Sequence, residues 1–216
     1  MDRLRSTTIL STLTGLSSGA SFALALLAPQ AALADTTVST STTTPLKTAT
    51  AGNVTVASGG TITLAAGGTA VTVDSNNTAT VASGGTITNT GGKDGDTGIT
   101  VEAGRTTTVT NGGTITITES FNGADTDSNG IVDGPIASAS NRYGILVGAG
   151  AATTATLKNT GTITVEGLNS GGMVAKSDLT GSISNTGTIK VIGDNSVGIG
   201  TKGGSGNATV EGTVAV

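Results

Sequence analysis

The tetrad Gly-Thr-Ile-Thr occupies Gly60–Thr63, Gly85–Thr88, Gly113–Thr116 and Gly161–Thr164, with variants at Gly187–Lys190 and Gly212–Ala215. Successive first glycines lie 25, 28, 48, 26 and 25 residues apart. A period in the twenties built on β-branched residues and glycine turns specifies a solenoid, in which each coil buries its apolar edge only against its neighbours. Each repeat divides into three short extended pieces. The first carries Val56, Val81, Val109, Leu157 and Ile183, and the second, six residues later, carries Ile62, Ile87, Ile115, Ile163 and Ile189. The turn between them reads SGG, NGG or NTG. A third piece follows at Ala70–Val73, Gly98–Val101, Gly144–Val147, Gly172–Ala175 and Val197–Gly200.

Within the second piece the residues alternate. Ile115 and Ile117 face inward while Thr114 and Thr116 face water, as in a strand with one buried face. Leu64, Val165 and Val191 repeat the second inward position, and Asn89 interrupts it. Hairpins within a repeat are permitted by the glycine turns. They do not explain why Ile recurs over Ile and Thr over Thr, whereas coils stacked about 4.8 Å apart do. Disorder, suggested by the Gly/Ser/Thr content, gives no reason for the constant six-residue offset. The expected fold is all-β: a right-handed parallel β-helix of about six coils, three strands per coil.

Residues 1–34 read as a signal peptide. Asp2, Arg3 and Arg5 precede the apolar core Phe22–Ala28, then Pro29 and the small-residue site Ala32-Leu33-Ala34. The apolar run is far shorter than the roughly 20 residues a membrane span needs. Export, to the surface or surroundings of a Gram-negative bacterium, is therefore expected, with no membrane span in the mature chain. Cysteine is absent, so no disulfide reinforces the fold. Residues 35–50, rich in Ser and Thr, read as a flexible leader or irregular cap. Residues 51–216 are the repeats, with residues 118–143 as an insertion that accounts for the 48-residue step. The chain stops inside a second strand, where a capping element or more repeats are expected.

Composition excludes several functions. Without the signal segment the chain has 8 basic and 13 acidic side chains and only Phe121 and Tyr143 as aromatics. That is a poor basis for nucleic-acid binding, which needs clustered cations and stacking rings. With no histidine, Ser-His-Asp and Cys-His machinery and the common zinc sites are excluded. A carboxylate glycosidase or polysaccharide lyase remains conceivable on such a scaffold. No acidic pair is marked by the repeat register, however, so no catalytic residue is assigned.

One loop has ligand spacing. Asp125, Asp127, Asn129, Ile131 (through its carbonyl) and Asp133 stand at positions 1, 3, 5, 7 and 9, with Gly130 at position 6. This is the order of oxygen ligands in a Ca²⁺ loop. It is similar to loops of EF-hands, dockerins and thrombospondin type 3 repeats. It departs from the EF-hand at position 12, where Ile136 replaces the bidentate glutamate, and Gly134-Pro135 leaves no room for a flanking helix. The expected cofactor is one Ca²⁺. The segment Gly91–Asp96 partly matches the calcium nonapeptide of RTX repeats but lacks its fourth-place glycine and occurs once, so a surface turn is expected there.

Asn141-Arg-Tyr-Gly-Ile145, the stretch Thr154–Gly167 and the stretch Ser182–Gly200 carry "NTGTI" coils followed by "N-S-x-G-I" pieces. Over about residues 51–216 the chain resembles the passenger region of bacterial autotransporters. The resemblance implies a right-handed parallel β-helix displayed on a Gram-negative surface, adhesin-like, with host or cell-surface glycans or proteins as partners. It also implies a translocator barrel, which no segment here resembles. Asn195–Gly200 is similar to the repeat of trimeric adhesin heads, whose period is about half of this one; a trimeric head is the related alternative.

Overall fold

The computed structural model describes residues 33–216. The signal-peptide reading of residues 1–34 lies outside them except for its last two positions. Every pairing between the named strands is parallel, which removes the hairpin alternative. The chain winds as a right-handed parallel β-helix of about six turns. Second strands, from Ser41–Thr42 through Thr61–Leu64 to Thr213–Ala215, form one seven-stranded sheet without a register break. First and third strands make up the other sheet, joined where Gly171–Asn185 runs unbroken through a corner. Among the described residues no helix is long and apolar enough to cross a membrane.

Stacked aliphatic rows fill the shaft. Ile62, Ile87, Ile115, Ile163 and Ile189 are all fully buried and paired rung to rung. A second row runs Val71, Ile99, Ile145, Met173 and Ile199. Burying such a side chain contributes roughly 1.5–3 kcal/mol, so the rows are the main source of cohesion in a chain without disulfides.

The tetrad glycine recurs for a steric reason. A Cβ on Gly161 would stand 2.1 Å from the carbonyl oxygen of Gly113, and one on Gly187 would stand 2.1 Å from that of Gly161. Backbones of successive turns touch at this corner, so a side chain there would push the rungs apart.

Three sequence expectations are corrected. The Ser/Thr-rich segment, read as a flexible leader or irregular cap, is not a loose leader but an added turn over the first repeat: Thr36–Val38, Ser41–Thr42 and Leu46–Lys47 pair with the strands containing Val54, Thr61 and Val71. Val38 and Leu46 supply the apolar positions this extra turn needs, and a short helix, Thr48–Ala51, ends it. The first strands, secondly, are not aligned as the six-residue offset implied. Val109 pairs with Ala79, and Asn111 takes the place of Val81. The corner contains four residues after Val81 but only Gly112-Gly113 after Asn111, so the strand advances by two residues and keeps its inward face.

Thirdly, the Asn of each NGG or NTG is a core residue rather than a turn residue. Asn111, Asn159 and Asn185 are fully buried, one above another. Asn111 Nδ2 donates to Asn159 Oδ1 at 2.7 Å, and Asn159 Nδ2 donates to Asn185 Oδ1 at 2.6 Å. The column ends at Asn111 Oδ1, which has no partner because Val81 below it offers no donor. Asn89 likewise fills its inward position instead of breaking it: its Nδ2 donates to Gly68 O at 2.7 Å and its Oδ1 accepts from Gly91 N at 3.1 Å.

Candidate functional site

Beyond Ile117 the chain leaves the shaft and returns at Tyr143. An antiparallel bridge, Asp133 N donating to Ala124 O at 2.7 Å, closes a small acidic loop at the tip of this excursion. Inside it Ser128 and Gly130 take positive φ (61° and 86°), which folds the segment back on itself. One carboxylate oxygen from each of Asp125, Asp127 and Asp133 lies within 4.8 Å of the others, and all three residues are exposed.

Backbone donors set this arrangement. Asp125 accepts from Asn129 N (3.1 Å) and Gly130 N (2.8 Å). Asp127 accepts from Asn129 N and Nδ2. Asp133 accepts from the Thr126 hydroxyl at 2.7 Å and from Thr126 N at 3.0 Å. Asn129 Oδ1 accepts from Ile131 N at 2.8 Å. Asp133 Oδ2 also accepts from Asp127 N at 3.3 Å and is saturated, but each of the three carboxylates keeps free lone pairs after these bonds. The donor set is hard oxygen throughout, which suits Ca²⁺ rather than a thiophilic metal.

The Gly130 amide above all holds Asp125 below the usual carboxylate range, and the Thr126 hydroxyl does the same for Asp133. A carboxylate whose folded pKa is depressed contributes order above its unfolded value and loses that contribution as pH falls through the folded one. The loop should therefore hold its form from neutral pH down to about 4 and open below that. Amide exchange at Gly130 and Asn129 measures this; protection that is indifferent to pH across that range would count against it.

A buried cluster ties the excursion to the shaft. Arg142 is completely enclosed. Its Nη1 donates to Glu166 O at 2.5 Å and its Nη2 to Thr118 O at 2.7 Å. Asp96 Oδ2 lies 3.6 Å from Nη2, and Glu119 Oε2 lies 4.0 Å from Nη1. Burial lowers the pKa of the guanidinium, opposed first by Asp96 and then by Glu119, Glu166 and Asp94. The turn expected in Gly91–Asp96 is present, exposed at Lys93–Gly95 and closed by Asp96 N donating to Lys93 O at 3.3 Å, but the Asp96 side chain is buried beneath it, with Oδ1 accepting from Gly68 N at 2.6 Å. Glu119 in turn accepts from Ser138 N (2.6 Å), the Ser138 hydroxyl (2.9 Å) and Ala139 N (3.0 Å), clamping the returning strand.

Composition, in which Arg142 is one of 8 basic side chains outside the signal segment, does not mark this role, although the register carried the signal. Asn141, Asn169 and Asn195 share a positive φ, so Arg142 falls in the inward column of Ser170 and Ser196. Beside it the Tyr143 ring lies under the Lys176 ammonium, 4.5 Å from the centroid.

The arrangement bears on catalysis. Hydrolysis of a glycosidic bond requires two carboxyl groups across a cleft. The concavity beside Ile136 and Lys190 contains only Asp194, and that beside Phe121 only Glu119. Among the described residues Arg142 is the cation whose pKa burial lowers, and it is sealed inside the shaft.

Fold and sequence pattern together define a parallel β-helix of the pectate lyase-like kind. The family model described as the BigA third pectate lyase-like domain matches residues 26–216, and the chain belongs to that family. BigA is an autotransporter-like surface protein, in line with the resemblance to passenger regions. No curated protein and no solved structure matches the chain.

Proposed function

We propose that this domain is a non-catalytic, adhesin-like β-solenoid exported to a bacterial surface, with its acidic excursion as a contact element that takes one Ca²⁺. The observation that supports it most is the division of charge. Cationic Arg142 is spent inside as a fastener, while Asp125, Asp127 and Asp133 are displayed together on the longest departure from the shaft. Asp125, Asp127, Asn129, Ile131 and Asp133 would hold the ion, which would offset the repulsion of the three carboxylates and stiffen the loop. Extracellular calcium at millimolar concentration suffices for a weak site of this type. Partners would be host or cell-surface glycans or proteins.

Calorimetric titration with Ca²⁺ should give one binding event per chain, reduced at least about tenfold in affinity by Asp127→Ala through loss of one charged ligand. A heatless titration, or one unchanged in the variant, removes the metal from the proposal. The family description favours a second reading, a polysaccharide-acting enzyme. Incubation with uronate polymers decides between them: release of unsaturated or reducing sugar supports the enzyme, and retention of the polymer without turnover supports adhesion.

A further inference from the structure

The seven-stranded sheet of second strands presents a surface that the calcium reading does not use. Its outward side chains stand in two columns. The first is a hydroxyl at every rung, from Ser41 through Thr61, Thr86 and onward to Thr213. The second is threonine from Thr63 to Thr164, then Lys190 and Ala215. Pairing is residue to residue across the whole sheet, so the columns do not drift. Rungs repeat at about 4.8 Å and neighbours along a strand at about 6.6 Å.

Two further properties suit these threonines to a surface contact. The other sheet also has outward threonines, but in a shorter column: Thr55, Thr80 and Thr110 give way to Lys158. The hydroxyls of the two columns have no hydrogen-bond partner among the described residues, and all stand partly open to solvent. Threonine is also stiff at χ1, so each methyl and hydroxyl is held in position before anything binds.

We infer that this face binds ice. A lone neutral hydroxyl gains little over its contact with water, so only a ligand that meets many of them at once is held. The two columns have no charge before Lys190 and no aromatic ring, and Glu166, outward beside them, is engaged by Glu119 N; this leaves out the Trp, Tyr and Arg anchors of protein interfaces and the ring faces on which sugars stack. What remains is a rigid neutral lattice repeating in two directions. The oxygen rows of hexagonal ice repeat at distances close to both spacings, and the methyl groups between hydroxyls favour ordered water over bulk water. This inference goes beyond the adhesin reading and does not rest on it.

Slow growth of ice from a dilute solution of the whole protein tests it. The protein should be enriched in the ice over an inert protein of similar size. Thr88→Lys with Thr116→Lys should abolish the enrichment. Lys190 already occupies that column two rungs above Thr116, so the fold accepts the side chain, and unchanged circular dichroism and melting will confirm it. Thr156→Lys, on the other sheet, should leave the enrichment intact. Exclusion of the wild type from ice, equal enrichment of the double variant, or capture by crystalline cellulose or chitin in place of ice would each overturn the inference. None of these outcomes touches calcium binding by the acidic loop.

Discussion

Arg142→Ala is expected to destabilise the protein by about 3–5 kcal/mol, the range for removing one partner of a buried charge cluster. The truncation leaves Asp96 and Glu119, both almost wholly enclosed, facing an empty space, and strips donors from the carbonyls of Thr118 and Glu166. Urea unfolding measures the loss. Because each turn touches only its neighbours, amide exchange should also rise first at Ala139–Tyr143, where the excursion rejoins the shaft. Asp96→Asn placed on the same variant should recover only part of the deficit: it brings no unpaired charge and its oxygen still accepts from Gly68 N, but its amide nitrogen cannot accept from Lys93 N. A loss under about 1 kcal/mol would show that water enters and screens the cluster.

The second large effect concerns the amide column. Asn159→Ala cuts both bonds that link Asn111, Asn159 and Asn185, leaving Asn185 Oδ1 without a donor and Asn111 Nδ2 with only Thr162 O at 3.2 Å. A buried polar group left unmet costs about 1–3 kcal/mol, and the cavity adds to it, so a loss of about 2–4 kcal/mol is expected. Thermal and urea unfolding of the variant, compared with Thr156→Ala on the exposed face of the same strand, would separate the column from general strand effects. Equal melting of the two variants would mean that the column does not hold the corner.

How much of this was legible beforehand divides along physical lines. The Ile rows and the outward Thr positions were readable because burial on one face of a strand imposes a period of two on the residues themselves. That Asp125, Asp127 and Asp133 gather in one loop was readable because their alternate spacing is local. The amide column and Arg142 were not, since a buried polar side chain looks like a surface one until its partners, here 24 to 48 residues away, are known. The constant six-residue offset misled for a related reason: Val81 reaches Ile87 through a long corner, whereas Val109 reaches Ile115 through two more strand residues and a short corner.

That exchange of corner for strand sets a rule for how such a chain can change length. A side chain returns to its own face after two positions, so residues gained or lost at this corner in pairs leave the interior composition unchanged. A single-residue change has to be absorbed in the corner backbone itself, as happens between second and third strands, where the inward faces of Ile62 and Val71 and of Ile163 and Met173 are kept across corners of different length. Length variation among related coils should therefore concentrate at the corner between second and third strands and at the mouth of the excursion bolted by Arg142, while the corner at Gly161 and Gly187, where backbones touch, keeps its compact form.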